Sequence, residues 1–291
     1  MQTDTRVKTG VARQAEEAQS RALAHSPRQK LWRRLPLALA SLPMLLFFSL
    51  PLVALVLRVS VANLLTNLVE PTVAQAIQLS LVTTLTTTAV TLLAGTPVAY
   101  LLARWRFPGR ALLDTLIDLP MLLPPAVAGI ALLVAFGRRG LLGPLLDNAN
   151  IELAFSTAAV VLAQTFVAGP FYVKTAINAF ARIDREIEQA AAVDGAGPLR
   201  IFRFITLPLA WSTLFSGAVM TWARALGEFG ATIIFAGNFP GITQTMPLAI
   251  YIGFETDFQA ALTLSVILLV TAFLVLLVVK GVLRQRIAAV Q

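Results

Sequence analysis

Residues 181–208 read ARIDREIEQAAAVDGAGPLRIFRFITLP, and the punctuation of this stretch sets the frame for the whole chain. Asp184 is a helix-capping residue type, and the run that follows carries Ile187, Ala190, Ala191 and Val193 at helical spacing. Asp194-Gly195 is a stop signal, because glycine takes up the left-handed conformation that ends a helix. Pro198 then fits the first turn of a second short helix, where a missing N–H costs nothing. Thr206-Leu207-Pro208 repeats that device and opens a longer apolar helix. The spacing predicts a helix, a glycine turn and a helix, forming an elbow. Its alanines and glycines leave a flat surface on which another protein can dock. An ordinary structured loop is the competing reading.

Both flanks of the elbow are apolar, and the pattern extends outward over the chain. Seven stretches of 19 or more residues lack Asp, Glu, Lys and Arg: 35–57, 71–103, 119–137, 153–173, 204–223, 229–254 and 258–279. A bilayer core of about 30 Å needs about 20 helical residues. Six stretches read as spans, over 36–58, 75–103, 113–137, 153–180, 208–235 and 258–281. The stretch 229–254 holds Asn238, Pro240, Gly241, Thr243, Gln244, Thr245 and Pro247, which is turn chemistry. Its first residues belong to the fifth helix, and the rest to an outer loop or a re-entrant segment.

Charge placement supports six spans. With the N-terminus in the cytoplasm, the inner segments hold eighteen Lys and Arg, including Arg104, Arg182, Arg200 and Arg284. The outer segments hold three, Arg58, Arg138 and Arg139. This is the positive-inside asymmetry. It accounts for the net charge of +8 without a nucleic-acid partner, since the basic residues are scattered over several loops. Of the 291 residues, 57% are hydrophobic and 13% charged. Soluble domains carry about 25% charged residues. The absence of cysteine excludes disulfides and thiolate metal sites, and the single histidine, His25, leaves no His-based metal or catalytic site. The expected fold is an all-α polytopic membrane protein with both termini in the cytoplasm and the elbow between helices 4 and 5. Residues 1–34 read as a basic, disordered cytoplasmic segment, 35–285 as the transmembrane domain and 286–291 as a tail.

Polar residues inside the spans are the candidates for a pathway. The second span carries Thr83, Thr84, Thr86, Thr87, Thr88 and Thr91, and the third and fourth carry Pro120, Pro124, Pro125, Gln164 and Pro170. Hydroxyls and small residues let membrane helices approach closely, and proline-freed carbonyls are tolerated against protein or water. Packing alone is the plainer account of any one of them. Arg224 and Glu228 fall within the fifth span at i, i+4 spacing, on one helix face. A lone arginine at the bilayer centre costs about 2.5–3.5 kcal/mol on insertion scales, so Arg224 should face the protein interior. A packing ion pair and a place on an anion pathway fit equally. Lys174, near the inner end of its helix, is expected to snorkel.

The elbow resembles the EAA motif of permease subunits of ATP-binding-cassette importers. That motif reads E-A-A, three variable residues, Gly, nine variable residues, then I-x-L-P. Ala190, Ala191, Gly195, Ile205, Leu207 and Pro208 stand at the expected distances. Gln189 holds the position of the glutamate, and Glu188 precedes it. The stretches 78–84 (QLSLVTT), 118–129 (DLPMLLPPAVAG) and 223–251 (ARALGEFGATIIFAGNFPGITQTMPLAIY) look like the molybdate and sulfate branch of these permeases, closest to the molybdate type. The resemblance covers about residues 35–285.

The resemblance implies a non-catalytic permease subunit in a bacterial-type cytoplasmic membrane, moving an oxyanion inward. Molybdate or tungstate is the implied cargo, and sulfate or thiosulfate the alternative. The implied partners are two cytoplasmic ATP-binding subunits, an extracytoplasmic oxyanion-binding protein and a second copy of the chain. Glu188, Gln189, Ala190, Ala191, Asp194, Gly195, Ala196, Pro198 and Leu199 would couple to the ATPase, and Thr84, Thr87, Thr88, Arg224 and Glu228 are pathway candidates. No catalytic or metal-binding residue is expected. The four lysines (Lys8, Lys30, Lys174, Lys280) never follow a glycine, so the chain lacks a phosphate-cradling G-x-x-x-x-G-K-[S/T] loop and ATP would be used by the partner. An ATP-independent carrier or channel is the reading from another class. An intramembrane enzyme would have only Asp114, Asp118, Arg224 and Glu228 to work with.

Overall fold

A computed structural model describes residues 27–288, all helices and connections. The chain divides into two units, residues 1–58 and 59–291. The first contains α1 (Pro27–Arg58), whose Leu39–Arg58 portion is apolar and long enough to cross a membrane. Helix α1 begins ahead of the expected start at 36. The rest of the expected N-terminal segment lies outside the described residues, as do 289–291.

The second unit contains α2 (Val61–Leu68), α3 (Pro71–Arg104), α4 (Arg110–Leu122), α5 (Pro125–Phe136), α6 (Gly143–Asn148), α7 (Thr157–Ala181) and α8 (Arg185–Val193). It continues with α9 (Pro198–Leu226), α10 (Gly230–Phe235), α11 (Met246–Thr256) and α12 (Phe258–Ala288). Five helices of the described chain, α1, α3, α7, α9 and α12, are long and apolar enough to span a membrane. The bent pair α4–α5 makes a sixth if it counts as one span.

Helices α3 and α7 form the axis of this unit and run parallel. Thr87 and Thr83 meet Gln164, Thr91 lies against Gly169, Thr96 meets Tyr172 and Arg104 meets Ile183, so positions advance together along both helices. Small residues permit this approach. A Cβ at Gly95 would sit 3.0 Å from Val173 and 3.2 Å from Tyr172. The hydroxyls of Thr83, Thr87 and Thr96 bond across the seam and those of Thr84, Thr86 and Thr88 bond back to their own helix, while Thr91 Oγ1 is buried without a partner among the described residues. Three apolar clusters surround the axis. Ala99, Tyr172, Ala176, Phe180, Ala210 and Leu214 join α3, α7 and α9 toward the elbow. Ala128, Leu132, Val160, Ala163 and Phe235 join α5, α7 and α10. Val73, Ala76, Trp222, Met246 and Leu264 join α3, α9, α11 and α12.

Two spans depart from the expected straight helices. The third is broken between α4 and α5 by 119°. Pro124 and Pro125 follow Leu123, and residues before proline leave the helical region, which ends α4 at Leu122. The fifth starts earlier and ends earlier than expected. Instead of opening at Thr206-Leu207-Pro208, α9 runs unbroken from Pro198 through a π turn at Phe202–Thr206. Leu207 N–H donates to the carbonyl of Phe202, five residues back. The wider turn accommodates Pro208, whose ring has no N–H and crowds the carbonyl four residues before it. At the other end α9 stops at Leu226, so residues up to 235 are not its continuation. Residues 230–235, expected as the end of the fifth helix, form the separate α10, and the stretch expected as an outer loop or re-entrant segment is a turn over 236–245 and α11, whose Met246 N–H donates to Ser80 Oγ at 2.7 Å.

Candidate coupling elbow and membrane-embedded charges

The elbow is built from local signals. Asp184 Oδ1 accepts the N–H of Glu186 at 3.0 Å and caps α8. At the far end Gly195 takes φ +87°, its N–H donates to Ala192 O, and Ala196 N–H donates to Ala191 O, each at 3.0 Å. This pair of bonds is a Schellman ending. Gly197 then caps the first turn of α9, with Pro198 in its first position. Helix α8 buries none of its residues. Gln189, Ala190, Asp194, Gly195 and Pro198 are exposed, Ala191 and Ala196 partly so. Val193 at 88% and Leu199 at 78% exposure add an apolar character that a solvated loop has no use for.

Glu188 differs from the other elbow candidates by facing inward. Its Oε1 accepts from Arg104 Nη2 at 2.8 Å and from Thr206 Oγ1 at 2.6 Å. Arg104 Nη1 also donates to Ile183 O at 3.2 Å, and Arg185 Nη2 donates to Arg104 O at 2.9 Å. The side chains of Arg104 and Glu188 are 7% and 15% exposed. Beside them the rings of Tyr100, Phe180 and Phe202 pack mutually, with centroids 5.1 to 6.2 Å apart. Neither Arg104 nor Thr206 stands out in the sequence as a functional residue. The charge of Arg104 at a helix end is its only mark.

The other candidates lie along the spans. Thr84 is buried and bonds back to Ser80 O at 2.7 Å. Thr87 is buried in the α3–α7 seam and donates to Gln164 Oε1 at 2.9 Å. Thr88 is half-buried and bonds to Thr84 O at 2.7 Å. Arg224 Nη1 donates to Glu228 Oε2 at 2.9 Å. Glu228 is 1% exposed, and its other oxygen accepts the N–H of Ala231 at 2.9 Å, at the start of α10. The carboxylate is thus satisfied on both sides by an ion pair and a helix start. Arg224 is a third exposed and makes no other hydrogen bond among the described residues. It continues an i, i+4 row on α9 with Ser212, Ser216 and Met220, none of them buried.

Lys174, expected to snorkel, has two carboxylate partners. Its Nζ lies 2.7 Å from Asp114 Oδ1 and 2.8 Å from Asp118 Oδ2, both on α4. The i, i+4 spacing of the two carboxylates puts them on one face, and the 119° bend goes with a placement of α4 alongside α7 that straight-span reasoning did not anticipate.

Comparison with known proteins agrees with this architecture. Residues 95–289 match the family model described as binding-protein-dependent transport system inner membrane component. The chain is 46% identical over 235 residues to the molybdenum transport system permease protein ModB of Mycobacterium tuberculosis, covering 80% of this chain and 88% of that protein. It is 39% identical over 226 residues to the sulfate transport system permease protein CysW of Synechococcus elongatus, covering 76% and 77%. Among solved structures it is similar to a bacterial ABC transporter involved in the import of the acidic polysaccharide alginate. There the TM-score is 0.66 at 16% identity, over 88% of this chain and 98% of that one, a likeness of fold. With its membrane-length helices and the elbow between α7 and α9, the chain belongs to the family of binding-protein-dependent transport system inner membrane components.

Proposed function

We propose that this chain is the permease subunit of an importer that carries molybdate, or its congener tungstate, into the cytoplasm. The observation that carries the substrate is 46% identity across 80% of the chain to a permease named for molybdenum transport. In this reading residues 35–285 are the permease domain, with 1–34 and 286–291 as cytoplasmic flanks. Two copies pair, two ATPase subunits dock on the elbows, and an extracytoplasmic binding protein delivers the anion. The exposed, small-residue surface from Gln189 to Leu199 supports the docking role. The partly open guanidinium of Arg224, in line with Ser212 and Ser216, supports a pathway along α9. Thr87 bonds across the α3–α7 seam and the buried Thr84 bonds back to its own helix, so their hydroxyls are committed within the protein. A few hydrogen-bond donors suffice, because a translocated anion must be released as readily as it is received.

Likeness to a sulfate permease at 39% identity supports a second reading, sulfate import by the same machinery. Uptake of labelled molybdate by proteoliposomes holding this chain, its ATPase and its binding protein separates the two. ATP-dependent uptake that resists excess sulfate and yields to tungstate is expected. Suppression by sulfate would transfer the chain to the sulfate branch. Uptake without ATP or partners would make it a carrier.

A further inference from the structure

We infer that Glu188 is a positioning residue that ties the elbow to the transmembrane helices, and that coupling passes through it to Arg104 of α3 and Thr206 of α9. The inference rests on the reading of the elbow as the place where an ATPase subunit pushes. It goes beyond that reading by assigning the route of the push into the bundle.

Helix α8 has nine residues and buries none of them. None of its residues belongs to the apolar clusters of the bundle. Without a further tie, a force on α8 would be absorbed by its two ends, the turn at Arg182–Asp184 and the glycine turn at Gly195–Gly197. Glu188, midway along the helix, supplies the tie. A single carboxylate oxygen accepts from the last residue of α3 at 2.8 Å and from the end of the π turn in α9 at 2.6 Å. Arg104 is held in turn by Ile183 O, and its own carbonyl is held by Arg185. Its Nε is buried and meets no partner among the described residues. That orphan marks a guanidinium placed for Glu188 and Ile183 rather than for its own best solvation.

Energetics favour a positional role over a stabilising one. Desolvating two charges offsets most of what their attraction returns, so a buried ion pair is retained for register more than for stability. The π turn serves the same end. Its extra residue per turn sets the face on which Thr206, fully buried, is presented to Glu188. Thus α8, the end of α3 and the start of α9 form one block, stiffened by the Tyr100–Phe180–Phe202 cluster.

The test uses the full transporter with its ATPase and binding protein. Glu188→Ala should leave the ATPase co-purifying and hydrolysing ATP, while uptake per ATP falls about tenfold, within the usual range of coupling free energies. Arg104→Ala should do the same, and the double variant should be no worse than either single one. Glu188→Gln keeps both acceptor contacts and should restore much of the uptake. If Glu188→Ala fails to assemble, Thr206→Val serves instead, since it removes one donor and keeps the ion pair. It should assemble and show an intermediate loss. Normal uptake per ATP in Glu188→Ala or Thr206→Val would overturn the inference. Loss of ATPase binding in Glu188→Ala would overturn it too, by making Glu188 a contact. Leu199→Asp tests the underlying reading separately: retained ATPase binding and uptake there would remove the elbow as a docking site, whatever Glu188 does.

Discussion

Arg224 and Glu228 show how one residue pair can serve packing and transport together. Glu228 is buried and bonded on both oxygens, so Arg224→Ala would strand a buried carboxylate, at about 3–5 kcal/mol. The expected outcome is a loss of assembled protein in detergent extracts. Arg224→Gln combined with Glu228→Gln removes both charges and keeps an acceptor for Ala231. This variant should assemble normally and lose molybdate uptake. Full uptake in the double variant would leave the pair a packing role alone. Lys174 invites a different substitution. Lys174→Met leaves Asp114 and Asp118 facing the same space without a counter-charge, at roughly 2 kcal/mol, and should lower the melting temperature of the purified chain. Adding Asp114→Asn and Asp118→Asn should restore it. By contrast, Arg138 and Glu152 form a pair that is 74% and 70% exposed. Arg138→Ala should leave the melting temperature unchanged, because exposed pairs contribute little.

At the scale of elements, the elbow is both the most legible part of the chain and the easiest to probe. Its cap, its glycine turn and its restart at Pro198 are each fixed by residues within a few positions of one another, so local chemistry suffices to read them. Gly195 has open space around its missing side chain, so Gly195→Val acts on folding of the isolated chain through backbone strain, about 1–2 kcal/mol, while Gly195→Asn should leave the fold intact. Gly197 also faces open space but has φ −71°, which suits any residue. Gly197→Leu should therefore fold and assemble normally yet impair ATPase docking in a pull-down, if this face receives the ATPase. The α5–α10 contact is the opposite case. A Cβ at Gly129 would sit 2.8 Å from Ile234 Cβ and 2.9 Å from Ala231 O, so Gly129→Ala should lower the melting temperature, by about 1–3 kcal/mol of overpacking. What sequence reading missed is long-range. Arg104 and Glu188 are 84 positions apart, and Lys174 and Asp114 are 60 apart, so their pairing follows from the α3–α7 register and the α4–α5 bend. The π turn was missed because Thr206-Leu207-Pro208 carries a helix-start signal that the widened turn overrides.

For the whole molecule, an all-helical chain of several spans was readable from its long uncharged stretches, and the described residues give five membrane-length helices, or six with α4–α5 counted as one. Which helices form the axis was not readable, because hydroxyls and glycines in a membrane helix signal contact without naming the partner. That axis has an outcome for the bilayer itself. Helix α3 has 34 residues, about 51 Å of helix, against a hydrocarbon thickness of about 30 Å. Even a tilt of about 40°, the upper end of the observed range, leaves α3 longer than the lipid it crosses. Its partner α7, with 25 residues, is about 37 Å long and has little to spare. The surplus belongs to the first turns of α3, where Gln75 lies beside Gly241. We expect the turn over 236–245 to stand clear of the acyl chains on a strut, so that a thicker membrane would draw on that reserve before it strained the axis. Uptake measured across vesicles of increasing acyl length should hold level well past the match for α7, a tolerance of hydrophobic mismatch that a permease cut to the bilayer's width would lack.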